Sequence, residues 1–361
     1  MSYQESETAY AHPPREVVAS PAIPDSSEKE SVLVSVVIPA YRCAAYIVQG
    51  IESVLNQSFT NHEIIVVNDG SPDTAQLEAV LKPYVGRIRY FKQPTKGPSG
   101  ARNTGVRNAF GKYVAFLDGD DYWTSDHLAK NVSILEANPD LALVYSDCIL
   151  VKDGQPYSRV FLAQDQSSQV TFESLLLQRS TISTSSVVAS RRAVLSAGGF
   201  DEEIYRCEDF DMWLRLAFSG CRMSYHPDAE VYHRVHDVSL SADSLAMIKD
   251  RVRVYEKTAS RLRVSEEQKQ IIGQMITQSQ SDGYVEQLKE ALDREDFAQA
   301  REAAERALTV ESTWKLRVAK FGLRISPRIF LGLYRSRLVL LQKRTQSRHV
   351  AVAPDQQLRQ T

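Results

Sequence analysis

Short β-branched runs alternating with stretches of helical spacing constrain the architecture of this chain more than any other feature. Val32 to Ile38 is nearly continuous in valine and isoleucine, the composition of a strand buried on both faces. Ile47, Ile51, Val54 and Leu55 then fall on one helical face. A second apolar run, Ile64 to Val67, precedes a short helix near Gln76 to Tyr84. A third strand is expected at Arg87 to Phe91, a helix at Ala101 to Phe110 and a fourth strand at Tyr113 to Leu117. Strands alternating with helices form parallel βαβ units. In open parallel sheets ligands bind beyond the carboxyl ends of the strands, so the loops after Ile38, Val67 and Leu117 are where a site is expected.

After Leu117 the rhythm changes. A helix at His127 to Asn138, a strand at Ala142 to Val151, a turn at Asp153-Gly154 and a helix from Glu208 to Ser219 are expected. From about Leu245 glycine is scarce and the pattern is helical, with Tyr284 to Leu308 shaped like one helical hairpin. The fold class is therefore α/β, a mostly parallel central sheet flanked by helices with a C-terminal helical appendage. The expected division is a disordered tail at 1–30, carrying Pro13, Pro14, Pro21 and Pro24, then an α/β domain at 31–244, a helical region at 245–345 and a tail at 346–361.

A net charge of -2 points to no nucleic-acid partner. Cys43, Cys148, Cys207 and Cys221 are scattered, with no CxxC pair, as in a protein of reduced thiols. Neither a basic, then apolar leader nor an apolar run of roughly 18 residues is visible, so a cytoplasmic location is expected. The charge is uneven, however: ten Lys/Arg and no Asp/Glu lie between Lys315 and Arg348. They mix with Trp314, Phe321, Ile329 and other large apolar residues, and Pro327 breaks the helix. The segment 314–345 reads either as a basic amphipathic stretch lying on an anionic membrane surface, or as a helix covering the α/β domain with its cations solvated.

The strongest chemical feature is Leu117-Asp118-Gly119-Asp120-Asp121, three carboxylates crowded directly after a buried strand. Such crowding is relieved by a cation, and carboxylate oxygens suit Mg²⁺ or Mn²⁺; the competing reading is a solvated turn. Asp69, in Asn68-Asp69-Gly70-Ser71, alone would be an Asx turn but belongs to the same sheet edge. In Gly97-Pro98-Ser99-Gly100-Ala101-Arg102-Asn103, backbone N–H groups at a helix start and Arg102 suit a diphosphate, while Ser99 would also serve as an N-cap. Glu208-Asp209 opens a helix, where acids usually answer the dipole, yet a base for a hydroxyl needs such a carboxylate. Tyr232-His233-Arg234-Val235-His236 could meet a metal or phosphate, although isolated histidines are more often satisfied polar groups.

Taken in order, these segments resemble the inverting family-2 glycosyltransferases of GT-A fold. The resemblance rests on Val34 to Arg42, Val67 to Ser71, Gly97 to Asn103, Phe116 to Asp121, and Gly198-Gly199-Phe200-Asp201-Glu202 running on to Glu208-Asp209. It implies that Pro39, Tyr41 and Asp69 hold the nucleoside and that Arg102 lies by the diphosphate. It further implies that Asp118 and Asp120 form the DxD pair, Asp118 toward ribose and metal and Asp120 on the metal. Asp209 would be the catalytic base, with His233 or His236 helping at the diphosphate. The implied cofactor is Mn²⁺ or Mg²⁺. The implied donor is a nucleotide-diphosphate sugar, a UDP-sugar being favoured, and the acceptor a glycan or lipid-linked glycan of cell-surface polysaccharide or glycolipid synthesis. The alternatives are a sugar-nucleotide nucleotidyltransferase and a non-catalytic nucleotide-sugar-binding scaffold.

Overall fold

A computed structural model describes residues 32–160, 170–236 and 242–336. The two expected tails, and the basic segment beyond 336, lie outside the described residues. The elements run β1 (Val34–Ala40), α1 (Ile47–Leu55), β2 (His62–Asp69), α2 (Thr74–Leu81), β3 (Arg89–Gln93), α3 (Gly97–Asn108), β4 (Tyr113–Phe116), β5 (Tyr122–Trp123), α4 (His127–Ala137), β6 (Leu141–Lys152), β7 (Gln155–Arg159), α5 (Phe172–Leu176), β8 (Val188–Ser190), α6 (Arg191–Ser196), α7 (Glu208–Phe218) and β9 (Arg222–Arg234), followed by α8 (Ser244–Arg261), α9 (Glu266–Asp293), α10 (Phe297–Val310) and α11 (Trp314–Ile325).

The strands make one sheet in the order β3-β2-β1-β4-β8-β6-β9-β5, with β7 paired to β6. The four strands from β3 to β4 are mutually parallel. Short β8 is antiparallel to both β4 and β6, which restores the original direction in β6, and β9 runs parallel to β6. Six of the strands thus point the same way, and their carboxyl ends share one edge. The expected parallel βαβ half is present, and the rest of the sheet is mixed. β5, β7, β8 and β9 were not expected from the chain's periodicity. β8 is three residues long among serines, and β9 carries His226-Pro227-Asp228 at its middle and pairs with β6 across register shifts.

Both faces of the sheet are covered, which explains the unbroken apolar runs. Val37, Ile65, Val67, Val114 and Phe116 point into one core with Ala101, Val106, Met212 and Trp213. Their neighbours Val36, Ile38, Ile64, Val66, Ala115 and Leu117 point into the other, with Ile47, Ile51, Leu77 and Leu128. The helices beyond residue 244 divide between two cores. Val254 and Tyr255 of α8 and Ile272 of α9 join the first sheet-facing core. Tyr255 donates its hydroxyl to the Leu176 carbonyl at 2.8 Å. Lys257 and Arg261 reach Asp201 at 2.7 Å each. The end of α9, α10, α11 and a helical stretch over 327–336 pack instead around Leu292, Ala300, Ala304, Ala307, Leu316 and Leu323.

The approach of α3 to the sheet depends on a missing side chain. A Cβ on Gly105 would stand 2.2 Å from Cγ1 of the fully buried Val37. We expect Gly105→Ala to push α3 off β1 and cost about 1–3 kcal/mol, measured as a lowered urea midpoint; an unchanged midpoint would show that the helix has slack at this crossing.

Candidate active site

The acidic turn follows β4 and closes on itself, Asp121 donating its N–H to the Asp118 carbonyl at 3.0 Å. Only glycine fits at 119, where a Cβ would lie 2.7 Å from Sγ of Cys43 and 2.9 Å from the Pro39 carbonyl oxygen. The turn is therefore seated directly on the loop after β1. Its three carboxylates divide in function. Asp121 is fully buried and accepts from Ser185 Oγ at 2.6 Å and from the Arg234 N–H at 3.0 Å, with His233 Nδ1 at 2.9 Å. It bolts the turn to β9. Asp118 and Asp120 keep 30% and 28% of their side chains exposed, and these two remain open to a ligand.

Asp120 lies 2.8 Å from His236 Nε2. Burial, with the charges of Asp121 and Asp118 added, pushes its pKa up to about 6. That pressure is what a divalent ion relieves. His233 is raised too: Asp121 beside it lifts it to about 9, so its ring is cationic at neutral pH. His236 stacks on Tyr46 with ring centres 5.5 Å apart. Arg234 lies against Tyr46 and Tyr122, at 5.2 and 4.8 Å from their ring centres, and bonds the Asp120 carbonyl and Gln49.

Arg102, expected beside a diphosphate, is buried in α3. Its Nη2 donates to Asp118 at 2.6 Å and its Nη1 to Glu208 at 2.5 Å, with the guanidinium 5.5 Å from the Phe200 ring centre. It joins the acidic turn to the start of α7. Asp69, at the end of β2, accepts the N–H of Lys96 at 2.9 Å and of Gly97 at 2.8 Å, and Gln93 Nε2 at 2.7 Å. Both its oxygens are engaged, and it caps the helix that carries Arg102. Ser99 is not the cap: α3 begins two residues earlier, and Ser99 Oγ donates to the Ile204 carbonyl at 3.2 Å.

At the start of α7, Asp209 is half-buried and accepts from Thr184 Oγ1 at 2.8 Å. Burial raises its pKa, Arg102 and Thr184 pull it down, and Asp118 pushes it up. Burial also raises the adjacent Glu208, to about 7, against the pull of Arg102. The segment Thr184–Ser186 connects the two acidic regions. Thr184 holds Asp209, while Ser185 Oγ donates to Asp121 and accepts the Asp118 N–H at 3.1 Å. Sequence reasoning missed these residues, because a Ser/Thr run carries no signal beyond that of a loop. It also missed the ties made by Glu208 and Arg234, whose partners are remote in the chain.

The loop after β1 completes the arrangement. Tyr41 is 42% exposed, and Arg42 donates its N–H to Ser71 Oγ at 2.7 Å, fastening this loop to the one after β2. Among the described residues no three His, Cys, Asp or Glu side chains are grouped so as to hold a metal by themselves. The donor set that exists, Asp118 and Asp120, is of hard carboxylate oxygens and fits Mn²⁺ or Mg²⁺ shared with a ligand's phosphates.

Two profiles match: glycosyl transferase family 2 over residues 35–184 and glycosyl transferase family group 2 over 113–286. The chain is 31% identical over 214 residues to the Escherichia coli UDP-Glc:alpha-D-GlcNAc-diphosphoundecaprenol beta-1,3-glucosyltransferase WfaP, covering 58% of this chain and 80% of that protein. Against an uncharacterized glycosyltransferase of Rickettsia bellii it is 33% identical, covering 51% of this chain but only 27% of the relative's length. The fold is similar to that of Staphylococcus aureus TarS 1-349 in complex with UDP-GlcNAc, with a TM-score of 0.57 at 16% identity, covering 84% of this chain and 92% of the other. It is also similar to the Pyrobaculum calidifontis mannosyltransferase PcManGT with GDP-Man and Mn²⁺, with a TM-score of 0.53 at 19% identity, covering 83% of each chain. The fold is of GT-A type, and the sequence match covers most of the E. coli relative but only about a quarter of the Rickettsia bellii one. The chain belongs to the family-2 glycosyltransferases.

Arg102 is the test of how the site is held together. Arg102→Gln leaves two carboxylates without their shared cation, and breaking a buried pair costs about 3–5 kcal/mol. Glu208 is already raised above its unfolded value, so it binds a proton more readily folded than unfolded. Its contribution to stability therefore falls as pH rises between the two values. Without Arg102 that penalty grows, and urea titration should find the variant's deficit larger at alkaline than at mildly acidic pH.

Proposed function

We propose that this chain transfers a glycosyl group from a nucleoside-diphosphate sugar, a UDP-sugar being favoured, to an acceptor hydroxyl with inversion at the anomeric carbon. The observation that carries this reading is the continuous set of contacts from Asp69 through α3 and Arg102 to Asp118 and on to Glu208-Asp209. It supports a reading in which a nucleoside side, a phosphate side and a basic carboxylate share one sheet edge. Pro39, Tyr41 and Asp69 form the nucleoside side; since Asp69 is engaged by three N–H donors, its part is to hold the loop as well as to meet the ligand. Asp118 and Asp120 would hold Mn²⁺ or Mg²⁺, which, when bound, supplies charge neutralisation to the departing diphosphate. Arg102 positions Asp118, and cationic His233, with His236 beside Asp120, adds favourable charge on the same side.

Asp209 is the proposed base. It accepts the acceptor hydroxyl's proton as that oxygen attacks the anomeric carbon from the face opposite the diphosphate. Its raised pKa, caused first by burial, suits this, since a stronger base takes the proton more readily. A lipid-linked glycan is the proposed acceptor class, by analogy with the diphosphoundecaprenol compound in the name of the E. coli relative. The proposed setting is polysaccharide or glycolipid synthesis at the cytoplasmic face of a membrane. No helix among the described residues is long and apolar enough to cross one.

A panel of nucleotide sugars tested for Mn²⁺-dependent release of nucleoside diphosphate decides the matter; release of pyrophosphate would mean nucleotidyl transfer instead. Asp209→Asn should lower kcat by about 10²- to 10⁴-fold while UDP still binds, and near-normal turnover would remove Asp209 from the mechanism. In the native enzyme, kcat/KM should fall on acidification with a midpoint above the ordinary carboxylate value of about 4, as the raised Asp209 requires. Asp120→Ala should erase the gain in UDP affinity that Mn²⁺ confers, read by calorimetric titration with and without the ion.

A further inference from the structure

Helix α11 has two apolar faces. Leu316, Ala319 and Leu323 are buried against α10 and its neighbours. On the other face Trp314, Val318, Phe321 and Ile325 are 65%, 53%, 67% and 66% exposed. Their spacing of four, three and four residues places them on one stripe at roughly 100° per residue, about half a turn away from the buried set. Beyond the break at Ser326, Ile329 and Leu333 are each 67% exposed as well. Six large apolar side chains therefore face water on α11 and 327–336, which helices serving only to cover a core do not need.

Cations flank this stripe. Arg317 and Arg324 lie along one side of it and Lys315 along the other. Arg328 and Arg335 extend the charge, and no acidic residue occurs from 312 to 336. Lys320 and Arg335 have acidic partners, Glu305 at 3.2 Å and Glu295 at 3.2 Å. Lys315, Arg324 and Arg328 have no acidic partner among the described residues. A stripe of Trp, Phe and Ile bordered by unpaired Lys and Arg matches a surface with apolar depth and negative charge at its rim. We infer that α11 and 327–336 dock this chain on an anionic phospholipid bilayer, lying in the interfacial plane with the Trp314–Leu333 stripe inserted. The inference is independent of which sugar or acceptor the cleft takes, and holds even if the transfer reading fails.

The test uses the full chain and vesicles of phosphatidylcholine with or without phosphatidylglycerol. The protein should co-sediment with the anionic vesicles, weakly with the neutral ones, and less as salt is raised. Trp123 and Trp213 are buried, so a blue shift of tryptophan emission on vesicle addition reports Trp314. The double variant Phe321→Ser/Ile325→Ser should bind at least about tenfold more weakly, and Arg324→Glu/Arg328→Glu should lose roughly fivefold per cation or more at low salt. Because all four side chains lie outside the cores, both variants should keep the native thermal midpoint and donor binding. Absence of co-sedimentation and of any blue shift in the native chain would overturn the inference. So would stripe variants that bind vesicles as the native chain does. Concentration-dependent self-association that the serine variant abolishes, with no vesicle binding, would assign the stripe to a second copy of the chain and equally overturn it.

Discussion

One guanidinium holds the acidic edge together. Arg102 is surrounded by protein, and each of its Nη atoms ends on a different carboxylate, Asp118 from the turn after β4 and Glu208 from the start of α7. Carboxylates brought this close, half-buried, would otherwise neutralise one another by taking up protons, and Glu208 stands partway along that path. The planar fork of arginine meets two acceptors at fixed separation, which the point charge of lysine cannot do. Asp118 and Glu208 both depend on this one cation being in place, and Asp69 fixes it from behind by capping the helix on which it rides.

Much of this was legible in the chain. The runs at Val34 and Ile64 have the composition of strands covered on both sides, and the acidic turn after Leu117 stood out by its crowded carboxylates, though a solvated turn was an equal reading. The positions of Asp69, Asp118 and Asp120 followed from strand direction alone. The register between loops was not legible. Nothing local marks Ser185 as the hydroxyl that ties Asp121 to the Asp118 N–H, or Thr184 as the partner of Asp209, because each contact spans 25 to 67 residues of sequence. Arg102 is the instructive case. Its charge suggested a place by a diphosphate; its two ties to protein carboxylates were not legible, because they come from burial, a property of packing that a motif does not carry.

The histidines joined the site through topology. β9, which periodicity did not mark, runs parallel to β6, and its far end meets β5, two residues long, immediately after the acidic turn. Tyr122 pairs with Tyr232, so Asp121 and His233 become neighbours across the ladder. A strand interrupted by His226-Pro227-Asp228 reads as loop, yet it delivers two imidazoles to carboxylates over 110 residues earlier in the chain.

The common direction of six strands also decides where this fold is free to vary. Every side chain assigned to the cleft sits at the carboxyl edge or just beyond it. The opposite edge, including the connection at 85–88 with Val85 70% exposed and the turn at 138–140 after α4, contributes none of them. Loops there answer only to solubility and local backbone geometry. Lengthening or recharging them alters no side chain assigned to the cleft, so insertions are accommodated most readily on that side of the sheet.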